Sequence, residues 1–262
     1  MLVVLSPAKK LDFSPLSTDG LQLKSTIPEM LKETKLLSQT TRKLLPNEIK
    51  RLMKLSDTLS ELNFERFQEF DARASRPKGS KQAALAFDGD TYSGLQAGEF
   101  SEEDMLFAQE HLGILSGLYG LLRPLDAIQP YRLEMGTRLK TPRGKSLYDF
   151  WGDRVANKID RRLSKMGSDV LVNLASTEYF SVVSPGSLKA RVITPVFKEL
   201  RGGEAKIISF SAKRARGMMA RYIIQQRLTE PTPLKKFGLD GYKFHKAGST
   251  GDKWLFLRDQ PA

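Results

Sequence analysis

The chain contains no cysteine, which excludes a disulfide framework, a thiolate zinc site and a cysteine nucleophile. It has only two histidines, His111 and His245, far apart in sequence. Neither lies in a recognisable motif and no G-x-S-x-G is present, which argues against a Ser–His–Asp hydrolase. The clusters of His, Cys, Asp and Glu that an iron site needs are also lacking. Glu102, Glu103 and Asp104 stand together, but acids are favoured at the start of a helix by its dipole in any case. No stable metal and no cofactor are therefore expected. Long apolar runs are missing too. The N-terminal stretch Leu2–Leu5 is far short of a signal peptide or a spanning helix, so a soluble, cytoplasmic protein with no membrane partner is expected. No repeat, low-complexity tract or Pro/Gly/Ser linker divides the 262 residues. The length and the 40% hydrophobic content suit one compact domain, residues 1–262.

What the chain does have is positive charge in one place. Residues 189–227 hold ten lysines and arginines against two glutamates, a net +8 out of +12 for the whole protein. A local excess of this kind is a footprint for a polyanion. Within it, FSAKRARGMMARYIIQQRL from Phe210 has the period of a helix of about 18 residues. Projected at ~100° per residue, Lys213, Arg214, Arg216, Arg221 and Arg227 share an arc of roughly 160°. Ala212, Ala215, Met218, Met219, Tyr222 and Ile223 fill much of the opposite side. A merely solvated face, a membrane surface or an acidic partner would suit such a helix as well. Acids that would form i,i+4 pairs along the face are absent, which favours an external anion.

The remaining pattern mixes helices and strands. Leu2–Leu5 reads as a strand ending at Ser6-Pro7. Helical periods follow Pro28, restart after Pro46, and continue over residues 56–70. Residues 73–82 read as a polar loop and 83–87 as a buried strand. Ser101 with Asp104 forms a capping-box-like start to a helix running to Leu115. Residues 146–166 read as helical, and 169–174, 191–197 and 205–210 as strands, with weak strands at 241–245 and 253–257. The fold class is mixed α/β (α+β).

Leu115-Ser-Gly-Leu-Tyr-Gly120, followed by LLRPLDAI, joins two predicted helices by an L-x-G-h-x-G turn. That is the pattern of a DNA-binding helix-hairpin-helix, although a plain αα-corner has it too. In the hairpin reading Gly117 and Gly120 let the backbone approach a phosphate. The amides around Leu118 and Tyr119 would then face its oxygens, and Arg123 would add a charged contact. Lys9 and Lys10 follow the first strand and could bind an anion or be plain surface lysines. Arg132 is either a phosphate contact or the partner of Glu134. Tyr148, Phe150 and Trp151 read as core, because Asp149 and Asp153 rather than cations surround them.

The stretch LSGLYGLLRPLDAIQPYRLEMG resembles the signature of the peroxide-stress-response YaaA family. SPAKKLDF, FDGDTYSGL, LYDFWGD, VNLASTEYF and ISFSAKRARGMMARYII are similar to that family in the same order, nearly end to end. The resemblance implies a bacterial cytoplasmic protein, induced by hydrogen peroxide, that helps limit free iron and oxidative DNA damage. It also implies a single-domain α/β fold with a helix-hairpin-helix and a positively charged cleft that binds DNA. Two functions are thus expected to compete. One is binding of double-stranded or structured DNA through phosphates, by Gly117, Leu118, Tyr119, Gly120, Arg123, Lys213, Arg214, Arg216 and Arg221. The other is an enzyme for a small phosphorylated or nucleotide-like substrate, with Lys9, Arg132, Glu134, Lys213 and Arg216 round one pocket and Glu134 as acid or base.

Overall fold

The computed structural model describes residues 1–15, 23–72, 77–183 and 187–259. Residues 73–76 of the expected polar loop lie outside it. Leu-Val-Val-Leu has no polar alternation, which suits a strand covered on both faces. As β1 (Leu2–Leu5) it is buried throughout at the middle of an eight-stranded sheet. The other strands are β2 (Leu112–Ser116), β3 (Gly120–Leu122), β4 (Val170–Asn173), β5 (Arg191–Arg201), β6 (Glu204–Lys206), β7 (Lys243–Phe244) and β8 (Lys253–Asp259). Their spatial order is β7-β8-β5-β4-β1-β2-β3, with β6 paired to β5. The five inner strands are parallel, β1 matching Val3 to Leu112 on one side and to Val172 on the other. β3, β6 and β7 are antiparallel additions.

The expected helices form largely where the periodicity puts them. The helices are α1 (Leu31–Thr41), α2 (Pro46–Met53), α3 (Asp57–Glu69), α4 (Asp90–Leu95), α5 (Glu102–His111), α6 (Arg154–Lys165) and α7 (Ser209–Gln225), with shorter turns between. α4 stands where the sequence pattern gives no helix, and the expected helix over 146–166 is divided at Gly152 and Asp153 into a short turn, Leu147–Trp151, and α6. The Ser101 hydroxyl accepts from Asp104 N (3.1 Å) and the Asp104 carboxylate accepts from Ser101 N (3.2 Å), completing the capping box of α5. Phe150 and Trp151 are core residues, 1% and 0% exposed. Residues 83–87 are a helical turn, Ala83–Ala86, followed by a two-residue strand, rather than one buried strand. Residues 205–210 divide between the end of β6 and the start of α7.

The segment Leu115–Gly120 does not form a helix-hairpin-helix. α5 stops at His111, and Leu112–Ser116 is the strand beside β1, turning tightly into β3. Gly117, Leu118, Tyr119 and Gly120 are all buried. Their glycines serve packing rather than a phosphate. A Cβ on Gly117 would stand 2.1 Å from the Leu133 carbonyl oxygen, and Gly120, at φ +73°, lies against Met30 and the Trp151 ring. The Trp151 indole donates to the Gly117 carbonyl (3.0 Å), and the Tyr119 hydroxyl accepts from Gln129 N (3.0 Å). The hairpin's amides are therefore sealed inside the protein and offer no face to DNA.

Candidate anion-binding cleft

A parallel sheet gathers its sites beyond the carboxyl ends of its strands, at the point where successive connections leave in opposite directions. In this chain β1 is flanked by β2 on one side and β4 on the other, so that point lies between β1 and β4. Ser6, after β1, and Ser176, after β4, close it: Ser176 N donates to the Ser6 hydroxyl (2.9 Å). The Tyr92 hydroxyl of α4 donates to the Ser6 carbonyl (3.1 Å), fixing the loop that carries the lysines. A cavity of about 490 Å³ opens there, walled by the loop Ser6–Lys10, the turn Asp88–Thr91, the segment after β4 and two cations of α7, Lys213 and Arg216.

Charge around the cleft is mixed. Lys10 pairs with Asp88 (2.5 Å), opposite it in a short strand pair, and Lys213 stands 3.8 Å from Asp90. Beside the cavity, Lys9 and Arg132 each reach Glu134 at 3.1 Å. Lys9, exposed, bridges this carboxylate to the cleft, since it lines both spaces. Arg132 thus serves as the partner of Glu134, and so does Lys9, 125 residues away in sequence. Arg216 differs from its neighbours. It is half-buried, no carboxylate pairs with it among the described residues, and burial alone lowers its pKa from the ordinary value. An unpaired, partly desolvated guanidinium is a strong donor site for an anion. Tyr179, at the floor, is also buried, and burial raises its hydroxyl pKa well above the usual 10.0, so it stays protonated.

The cations of α7 do not form one continuous row. Gly217 lies midway round their arc, and there α4 crosses the helix. A Cβ on Gly217 would stand 1.8 Å from the Thr91 carbonyl oxygen, and one on Gly94 2.1 Å from the Arg214 carbonyl oxygen. Two glycines thus bring the helix backbones into contact. α4 divides the arc, leaving Lys213 and Arg216 in the cleft and Arg214 and Arg221 beyond it. Arg214 and Arg221 have no carboxylate partner among the described residues, so the expectation of unpaired cations stands for them as for Arg216. Arg227 departs from it: the helix ends at Gln225, and Arg227 lies beyond it with a left-handed backbone (φ 51°), pairs with Asp104 at 2.5 Å and lies over the Phe107 ring. Arg123 is likewise committed, to the fully buried Asp126 (2.8 Å) and to the Ile27 carbonyl (3.0 Å).

The sequence reading did not single out Ser6, Asp88, Asp90, Ser176, Glu178 or Tyr179 as site residues. A signal was present in the serines that follow two apolar strands. The six blocks carrying the family resemblance all reach this region: Lys9 and Lys10 from the first, Asp88 and Asp90 from the second, Arg132 and Glu134 from the third. Glu178 and Tyr179 come from the fifth, and Lys213 and Arg216 from the last. The fourth contributes Tyr148, whose hydroxyl donates to the Glu178 carbonyl (2.8 Å). Among the described residues no three His, Asp or Glu side chains gather as metal ligands, and no helix is long and apolar enough to cross a membrane.

Fold and site together define a mixed α/β protein with a cation-bearing cleft at the switch point of a largely parallel sheet. Residues 1–248 match the sequence model of the family described as peroxide stress protein YaaA. The chain is 52% identical over 262 residues to a UPF0246 protein of Maricaulis maris, spanning 100% of this chain and 97% of that one. It is 53% identical over 258 residues to a UPF0246 protein of Ruegeria pomeroyi, 98% of each chain. A UPF0246 protein of Ralstonia pickettii is 52% identical over 258 residues, 98% of this chain and 99% of its own. The chain belongs to the peroxide stress protein YaaA family.

Proposed function

We propose that the protein is a cytoplasmic DNA-binding protein of the peroxide stress response, which holds backbone phosphates and so limits iron-dependent oxidative damage to DNA. The observation that carries this reading is the set of arginines on α7. Arg214, Arg216 and Arg221 have no carboxylate partner among the described residues, in a chain of net charge +12. Unpaired cations on one helix need an anion with charges spaced along its length, and a phosphate backbone supplies them. Lys213, loosely held by Asp90, adds a fourth contact. Contacts of this kind position a duplex without reading its bases, so a preference for DNA structure over sequence follows. Titration against labelled duplex, bulged and four-way-junction DNA at several salt concentrations tests this. Four phosphate contacts predict a log–log salt slope near −4, reduced by about one unit in Arg214→Ala or Arg221→Ala. A shallow slope, untouched by either change, would overturn the reading.

A second reading is favoured by Glu134, held between Lys9 and Arg132 beside the cleft. A carboxylate in contact with two cations next to an anion site is equipped to act as acid or base on a small phosphorylated or nucleotide-like substrate. That reading requires turnover; binding alone gives it no support.

A further inference from the structure

The cationic cleft has a neighbour. A second cavity, of about 570 Å³, opens over the carboxyl ends of β4 and the start of β5, and Arg216 lines both. Its walls are more apolar than the first cavity's: Phe180, Val183, Leu188, Val192 and Ile207 line it, with Lys253 as a second cation beside Arg216. One buried polar group faces it with a donor to spare. The Asn173 Oδ1 accepts from Ala175 N (3.0 Å), leaving the Nδ2 without a partner among the described residues.

An apolar lobe of this size with few fixed polar groups falls within the range of ligand pockets, about 300–1,000 Å³. Hydrocarbon ligands would fill it without calling on Arg216 or Asn173. A fatty-acid-like ligand would use the cation but not the amide donor. An aromatic base joined to a phosphate uses all three: apolar walls for its faces, an amide for its edge, a guanidinium for its charge. We infer that the two cavities form one pocket for a single nucleotide unit, the phosphate on Lys213 and Arg216 and the base between Val192 and Phe180 within reach of Asn173. The surface at the mouth is suited to a nucleotide leaving a duplex. Ile207, which lines the cavity, is 59% exposed, and Phe210, three residues on, is 61% exposed, next to Lys206 and Lys213 in sequence. Exposed apolar residues among cations are what unstacks a base step and fills the gap. The shared chemistry is a nucleoside monophosphate. Its source is either a free mononucleotide or an unpaired residue of DNA, and only the second rests on the DNA-binding reading. In that case the pocket supplies the preference for bulged DNA, because an already unpaired base is the cheapest to extrude.

The test places 2-aminopurine, whose fluorescence rises when it unstacks, at a single-nucleotide bulge, alongside free deoxynucleoside monophosphates followed by calorimetry. Wild-type protein should raise the fluorescence several-fold. Val192→Trp, which fills the base lobe, and Arg216→Ala, which removes the phosphate anchor, should each abolish the rise, with circular dichroism confirming that both are folded. DNA that binds with no change in 2-aminopurine would overturn the pocket and leave the DNA-binding reading intact. Free mononucleotide binding lost in both variants, with no binding of any DNA, would uphold the pocket and overturn the DNA reading. No binding of either ligand would overturn both.

Discussion

Replacing Glu199 by alanine should cost the fold roughly 3–5 kcal/mol, the usual penalty for removing one member of a buried ion pair. Glu199 is 1% exposed and pairs with Arg258 at 2.6 Å and Arg201 at 2.8 Å. Arg258, itself 8% exposed, is also held by Asp240 and lies over the Tyr242 ring at 4.6 Å. Without the carboxylate its guanidinium would remain buried at one edge of the parallel sheet, where β5 and β8 run side by side. Burial alone would raise the Glu199 pKa, but the Ser211 hydroxyl and the two guanidiniums outweigh it and hold the carboxyl at about 2, against an ordinary 4.5. A depressed carboxylate pKa stabilises the fold above the unfolded value and loses that contribution as pH falls through the folded one. The wild type should therefore lose stability between about pH 4.5 and 2 through this group, and Glu199→Ala should lose less over the same window. Denaturant unfolding of both proteins at neutral and acid pH measures it. A variant within about 1 kcal/mol of wild type at pH 7 would mean that the pair contributes little.

Gly217→Ala is the second large effect, and its sign is the informative part. At an exposed helix position alanine in place of glycine stabilises by about 1 kcal/mol. Here the added Cβ would sit 1.8 Å from the Thr91 carbonyl oxygen, a backbone atom with no rotamer to escape into. α4 and α7 would have to separate, and a loss of about 3 kcal/mol or more is expected, at the upper end of overpacking penalties. The same separation would widen the cleft, because Asp90 opens α4 and Lys213 and Arg216 lie on α7. Gly98→Ala is the control. It meets nothing within 4 Å and needs no left-handed backbone, so it should be neutral or slightly stabilising. Thermal melts should place Gly217→Ala well below wild type and Gly98→Ala at or slightly above it; a Gly217→Ala that melts with Gly98→Ala would contradict the helix contact.

Much of the fold is legible from pattern alone. The amphipathic stretches became α1, α2, α3 and α7, and the short β-branched or aliphatic runs became β1, β4, β5 and β8, because burial on one stripe or on two faces leaves a period in the sequence. The failure at Leu112–Gly120 has a specific cause. Leu112, Ile114 and Leu115 continue the apolar period of α5 closely enough to be read as its last turn, and a buried five-residue strand is not separable from a helix by periodicity. The glycines of this stretch then fitted a phosphate-binding turn as well as a packed hairpin, and only the proximity of Leu133 and Trp151 decides between them. The cleft was half legible. Lys9, Arg132, Glu134, Lys213 and Arg216 are each chemically conspicuous, and the structure brings all five to one region. Asp88 and Tyr179 carry no such mark, and Ser6 and Ser176 only that each follows an apolar strand, because their role depends on which strand ends lie together. The division of the cationic arc by α4 was hidden for the same reason: Gly217 has meaning only opposite Gly94.

The central claim is that the unpaired arginines of α7 hold phosphate, while Arg227, paired just beyond the helix, holds the fold. Arg216→Ala and Arg227→Ala test it most directly when bulged-DNA affinity and melting temperature are measured on both at one salt concentration. Arg216→Ala should weaken binding about tenfold or more, the loss of a charge-assisted contact, with the melting temperature nearly unchanged. Arg227→Ala, which removes the partner of Asp104, should lower the melting temperature and leave the affinity close to wild type. Equal losses of affinity in the two variants would show only a general effect of net charge and would contradict the assignment of the cleft.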